Sequence, residues 1–364
     1  MSKIRLFTPG PLNHSEEILS LGSKDLPYYR DPDFAEMTLD NEKMLLKVVG
    51  CKLGNVIPYT CSGTGAMDAV MLNLIAKTDR VLIINGGSFG QRWVDMCKFY
   101  EYRYKELKVG FGKDLNIEEF ENELKDGFNV VLMQAEETDS GQLFNLKQIG
   151  EILKKHKGYL IVDAISSFLA DNYYMDSHNI DATLISSQKG LKLPAGAAFL
   201  IVNRRIQKKL MVRRGPRSFY FDFSYYLDKH ALKRGYVPFT PAVTIMYQLN
   251  KRLKKILQHP LRDVRETKGK ALYFRDLIKD LPLRLVAETP SNFLSGLVIT
   301  DKNKTADDLY NFLKTKNMYI TKPGKTISLQ DPSESKRFIR ITHSGLEKED
   351  YLLLYYALKE FFKK

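Results

Sequence analysis

Between residues 60 and 202, short runs rich in Val, Ile and Leu alternate with stretches whose apolar residues recur every three or four positions. The short runs VLII (81–84), NVVLMQ (129–134), YLIVDA (159–164), ATLIS (182–186) and AAFLIV (197–202) are apolar throughout, as strands buried on both faces are. Between them, Met67, Val70, Met71 and Leu74 stand at helical spacing and predict a helix beginning near Thr64. Asn116 followed by Glu118 and Glu119 marks the capped start of another. Strands alternating with helices predict an α/β fold with a mainly parallel sheet joined by crossover helices.

Beyond this region a helical pattern runs over 243–280 and is interrupted at Pro260, where a ring without an N–H must end or kink it. After that joint come LRLVA, FLSGLVIT, a helical stretch over 306–316, a short FIRIT strand and a closing helix from Lys348. The order predicts a smaller C-terminal α+β domain. The division expected is an N-terminal arm over 1–20, a large domain over 21–258 and a small domain over 259–364.

Composition changes the picture little: 44% hydrophobic and 27% charged residues belong to a globular chain. No run approaches the roughly 18 apolar residues of a membrane span, and the N-terminus reaches Pro9 without the apolar centre of a signal peptide. A cytoplasmic protein without a membrane partner is expected. Cys51, Cys61 and Cys97 are too few and too scattered for a disulfide framework or a metal knuckle, and read as core filler. The net charge of +13 concentrates in Arg204, Arg205, Lys208, Lys209, Arg213, Arg214 and Arg217, then in Lys251, Arg252, Lys254 and Lys255. No nucleic-acid motif accompanies it, so a solvated basic surface is expected rather than a nucleic-acid partner.

Three segments carry candidate chemistry. Lys189, in Ser186-Ser187-Gln188-Lys189-Gly190, follows a predicted strand, and ligands of α/β sheets sit beyond the carboxyl ends of strands. Asp163, in Val162-Asp163-Ala164, ends another strand; alone, an aspartate there is an ordinary turn former. Pyridoxal phosphate enzymes need a lysine to form the imine and a carboxylate to keep the ring nitrogen protonated, and these two residues supply both groups. The third segment, Ser62-Gly63-Thr64-Gly65, opens the helix near Thr64, where free N–H groups and small residues suit a phosphate. It matches neither a dinucleotide fingerprint nor a Walker loop.

Together with Phe7-Thr8-Pro9-Gly10-Pro11-Leu12, Asn85 to Arg92, and Glu137-Thr138-Asp139-Ser140-Gly141, these segments resemble the class V aminotransferases. The similarity runs in order from residue 4 to about 345 and is greatest to the alanine–glyoxylate, serine–pyruvate and 2-aminoethylphosphonate–pyruvate branch. It implies a fold-type I pyridoxal-phosphate-dependent transferase acting as a homodimer on a small amino donor and a 2-oxo acid acceptor.

By that resemblance Lys189 holds the cofactor as an imine and later shuttles the proton, while Asp163 faces the pyridine nitrogen. Ser62, Gly63, Thr64 and Gln188 cradle the phosphate, with Thr240 reaching it across the dimer interface. Phe89 lies over the ring, adding about 0.5–1.5 kcal/mol beyond its burial, and Thr138 meets the phenolic edge. Arg340, an arginine in the otherwise apolar FIRIT strand, grips the substrate carboxylate, with Gly10 nearby; an arginine so placed needs an anion to meet it.

Departures stand out. Ala135 occupies the place of a histidine common in relatives, Asp139 replaces a hydroxyl residue, and Thr342 stands where a glycine is usual. His343 reads as a polar loop residue, and Tyr28-Tyr29-Arg30 as a segment able to cover the site. The Pro9–Leu12 and Lys322–Lys325 segments look somewhat more like the aminoethylphosphonate branch, with alanine, serine or another small amine left open. The alternatives are a lyase or cysteine desulfurase of the same fold, which requires a mobile C-terminal cysteine this chain lacks, and a non-catalytic protein using its basic face.

Overall fold

The computed structural model describes residues 3–210, 218–228, 234–322 and 334–363. Arg213, Arg214 and Arg217 of the basic cluster, and Pro323, Gly324 and Lys325, lie outside them.

Seven strands build the main sheet: β1 (Gly54–Tyr59), β2 (Val81–Asn85), β3 (Tyr104–Lys108), β4 (Val130–Gln134), β5 (Tyr159–Asp163), β6 (Ala182–Ser186) and β7 (Ala198–Asn203), in the spatial order β1-β7-β6-β5-β4-β2-β3. Side chains alternate between two cores. Val81, Ile83, Val130, Leu132, Ile161 and Leu184 face one cluster, while Leu82, Ile84, Val131, Met133, Leu160, Val162 and Ile185 face the other. Both faces are therefore buried, which is why these strands read as unbroken apolar runs.

The first core is closed by Met67, Val70, Met71 and Leu74 of helix α2 (Gly63–Leu74) and by Trp93, Val94 and Cys97 of α3 (Ser88–Phe99). The second is closed by Phe34 and Leu45 of α1 (Pro32–Val48) and by the apolar face of α4 (Val243–Gln258). Asn116 caps its helix as expected, accepting from Glu119 N at 3.2 Å.

One strand departs from the parallel expectation: β7 runs antiparallel to both β6 and β1. The eleven residues 187–197 between β6 and β7 contain no helix, and a parallel return needs a crossover of about a dozen residues or more.

Pro260 separates α4 from α5 (Arg262–Leu277), with Leu261 between them in the left-handed region at φ 65°. The C-terminal part is a three-stranded antiparallel sheet of β8 (Leu283–Leu285), β9 (Leu294–Ile299) and β10 (Phe338–Thr342), in that order. Helices α5, α6 (Ala306–Lys314) and α7 (Lys348–Lys363) cover it around Leu297, Ile299, Ile339 and Ile341. The N-terminal Arg5–Leu6 pairs in parallel with Met318–Tyr319, and Phe7 is buried in this third core. Among the described residues no helix is long and apolar enough to cross a membrane.

Candidate active site

All strands of the main sheet except β7 point the same way, so their carboxyl ends share one edge. Asp163 ends β5, Lys189 follows β6, the turn at Gly86 and Gly87 joins β2 to α3, and Ser62 joins β1 to α2. Parallel topology thus brings residues far apart in sequence to one crevice.

Lys189 Nζ donates to the carbonyl of Pro9 at 2.6 Å and lies 5.9 Å from the centre of the Phe293 ring. Gly10 backs directly onto it: a Cβ there would stand 2.9 Å from Lys189 Cδ, and the φ of 141° is one that side-chain-bearing residues avoid. Loss of water around the amine, together with the charges of Arg340 and Arg92, lowers its pKa to about 8 against the pull of Glu136 and Asp163.

Asp163 is buried, and one oxygen accepts from Ile165 N at 2.9 Å. Its second oxygen has no hydrogen bond among the described residues. Burial raises its pKa to about 6, held down by that hydrogen bond and by the charges of Arg92 and Lys189. Across from it, Ser62 caps α2 by accepting from Gly65 N at 3.4 Å, which leaves the hydroxyl hydrogen free to donate. Arg92 donates to Thr64 Oγ1 at 2.8 Å and stacks on Phe89 at 4.9 Å, so it joins the phosphate-type turn to the aromatic ring. Gln188 is half-buried beside Lys189.

The hairpin Glu136–Glu137 to Gln142–Leu143 supplies the far wall. Thr138 Oγ1 donates to Glu136 Oε2 at 2.9 Å and lies 2.8 Å from Ser166 Oγ. Burial raises Glu136 to about 8 and Glu137 well above the carboxylate range. Arg340, from β10, meets this hairpin: its Nη1 pairs with Asp139 Oδ1 at 3.0 Å and donates to Thr138 O at 3.2 Å. The anion that the apolar strand demanded is Asp139. Gly296, opposite Arg340 in register, lets the two parts approach, because a Cβ there would lie 2.4 Å from Ser140 O.

One expectation shifts. His343 is no loop-surface residue but fully buried, within 2.9 Å of Ser295 Oγ and among the rings of Phe274 and Tyr351, since it directly continues β10 into the core. Burial holds it well below the ordinary histidine pKa. Thr240 is exposed and shares a 3.2 Å hydrogen bond with Tyr29 of its own chain, with Arg30 over the Tyr29 ring. Of the basic cluster, Arg205 pairs with Asp181, Lys209 with Asp79, Lys251 and Lys255 with Glu17, and Arg252 with Asp263.

Sequence reading missed Glu136, Arg92 and the Pro9 carbonyl. Arg92 and Pro9 stood inside segments it had singled out; nothing in the local pattern marked Glu136 for burial.

A poorly basic lysine and a buried carboxylate thus share one crevice with a glycine-rich helix start. The class-V aminotransferase family model matches residues 36–343, and the chain belongs to that family, whose members depend on pyridoxal phosphate. An uncharacterized aminotransferase of Methanocaldococcus jannaschii is 30% identical over 71% of this chain and 67% of its own length. The L-aspartate–glyoxylate aminotransferase of Paracoccus denitrificans is 29% identical over 71% of this chain and 66% of its own. Among solved structures, the ureidoglycine–glyoxylate aminotransferase of Bacillus subtilis superposes with a TM-score of 0.90 at 23% identity, covering 99% of this chain and 93% of that one. The fold is that of fold-type I aminotransferases.

Proposed function

We propose that this enzyme binds pyridoxal phosphate through Lys189 and moves an amino group from a small amino donor to a 2-oxo acid such as glyoxylate or pyruvate. The observation that carries the reading is the Lys189 amine, poor in water, donating to a carbonyl and felt by the charges of Asp163 and Arg340. Its residues fit the group: Asp163 has an oxygen left for a ring N–H, Phe89 offers a face, and Thr138 a hydroxyl. Ser62, Gly63, Thr64 and Gln188 suit the phosphate. When bound, the cofactor supplies an electron sink that makes the donor's Cα proton acidic.

The chain's own residues do the rest. Lys189 Nζ, made less basic by desolvation so that part of it is deprotonated near neutral pH, takes the Cα proton and returns it. Asp163, when ionised, would hold the ring nitrogen of the cofactor protonated. Arg340 orients the substrate carboxylate from the small unit, 259–364, while the large unit, 21–258, holds the cofactor. Similarity to aspartate– and serine–glyoxylate aminotransferases supports glyoxylate as an acceptor.

A homodimer completes the site, with Thr240 of one copy reaching the phosphate of the other. Exposed Phe219, Tyr225 and Tyr236 beside Phe239 supply an apolar surface for that contact. The desulfurase alternative lacks its nucleophile, because every cysteine precedes residue 98.

A panel of alanine, serine, aspartate and 2-aminoethylphosphonate tests the reading. At least one donor is expected to convert the bound cofactor to its amine form, and glyoxylate or pyruvate to restore it. Cysteine yielding alanine and sulfide, with no donor converted, contradicts it.

A further inference from the structure

Among the described residues Arg340 is engaged mainly through Nη1. Nη1 is taken by Asp139 and Thr138 O, Nη2 reaches Lys322 O at 3.5 Å, and Nε is buried with no partner among the described residues. Arg340 itself is 8% exposed, so this unmet donor is out of water, where an unpaired N–H is costly. The Nε–Nη2 edge is the fork that takes a carboxylate in two parallel hydrogen bonds. Asp139 is itself fixed at both oxygens, because Oδ2 accepts from Ser88 N at 2.8 Å at the start of α3.

We infer that Asp139 sets the substrate class: it locks the Nη1 edge of Arg340 so that the open edge receives one carboxylate, and its fixed charge refuses a substrate carrying a second acid group. The inference rests on the aminotransferase reading of the site. It follows from the chemistry of the wall. A second carboxylate or a phosphonate next to Arg340 would meet the buried carboxylate of Asp139, and the guanidinium charge is already shared with it. The substrates that fit are amino acids and oxo acids with a single acid group. Lys322, the cation next to Arg340 that a second anion would need, is paired with Asp307.

Calorimetric binding of two unreactive ligands, propionate and 3-phosphonopropionate, to the cofactor-loaded enzyme tests this without turnover. The wild type is expected to bind propionate at least about tenfold more tightly, since juxtaposed like charges discriminate strongly. D139N keeps an acceptor for Nη1 and removes the charge; it should hold propionate within about threefold and tighten the phosphonate by about tenfold or more. D139A removes the lock as well and should weaken propionate, a loss that D139N does not share. If the wild type prefers the phosphonate, or if D139N leaves the ratio of the two affinities unchanged, the inference is wrong. R340Q separates it from its premise: an R340Q enzyme that still binds both ligands as wild type does removes Arg340 as the carboxylate grip, and the inference with it. Weakening of both by R340Q, with an unchanged ratio in D139N, overturns the role of Asp139 alone.

Discussion

Lys189 and Lys192 leave the same loop after β6, three residues apart, and burial lowers the basicity of both. Lys192 turns away from the crevice and forms an ion pair with Asp263 at 2.9 Å, where Arg252 also binds. Among the described residues, Lys189 Nζ donates to a neutral carbonyl and to no carboxylate. Desolvation alone therefore does not make a reactive amine. A carboxylate in hydrogen-bond reach keeps the proton on Lys192, whereas the charges around Lys189 stand off from it and partly cancel. The first arrangement is structural and the second chemical.

The largest effect separating the two is on turnover. Lys189→Ala is expected to slow both half-reactions by about 10⁴-fold or more in stopped-flow absorbance, because a positioned base is lost together with the covalent tether. Lys192→Ala should leave them within about threefold. Equal losses in the two variants would erase the distinction.

Asp163→Asn should cost on the order of 10²–10³-fold in the donor half-reaction, the scale of removing one preorganised charge. The same variant should stabilise the cofactor-free protein at pH 7, since the folded-state pKa of Asp163 is raised to about 6 and ionising it in the core is unfavourable. A urea titration showing the variant less stable would contradict the burial argument.

Lys192→Met should destabilise the protein by about 1–3 kcal/mol in the same titration, because it leaves Asp263 with one cation instead of two. The smallest effect is in the pH dependence. Between pH 8 and the ordinary lysine value of 10.5, the unfolded chain keeps a proton at position 189 that the folded chain has released. Stability from this group therefore rises with pH through that window, and cofactor-free wild type should gain on Lys189→Met there. Parallel stability curves across the window would show that Lys189 titrates normally.

Much of this contrast was legible in the chain. Strand ends at Asp163 and before Lys189, the cap at Asn116 and the break at Pro260 are local features, written in apolar runs and in the chemistry of single residues. What was not legible depends on closure at long range. The Lys189–Pro9 contact spans 180 positions, and the Arg340–Asp139 pair spans 201. Asp139 showed only as a departure from a hydroxyl; that it answers Arg340 required the hairpin and the small sheet to dock past Gly296. His343 was misplaced for the same reason, because a polar residue just past a short strand gives no local sign of being enclosed by Phe274 and Tyr351. The reversal of β7 was hidden because a buried strand reads alike in either direction.

Borohydride reduction of the cofactor-loaded protein, followed by peptide mass mapping, probes the asymmetry of the two lysines most directly. A single pyridoxyl label on Lys189, with Lys192 unmodified, is the expected result. A label on Lys192 or any other lysine, or no label at all, would contradict it.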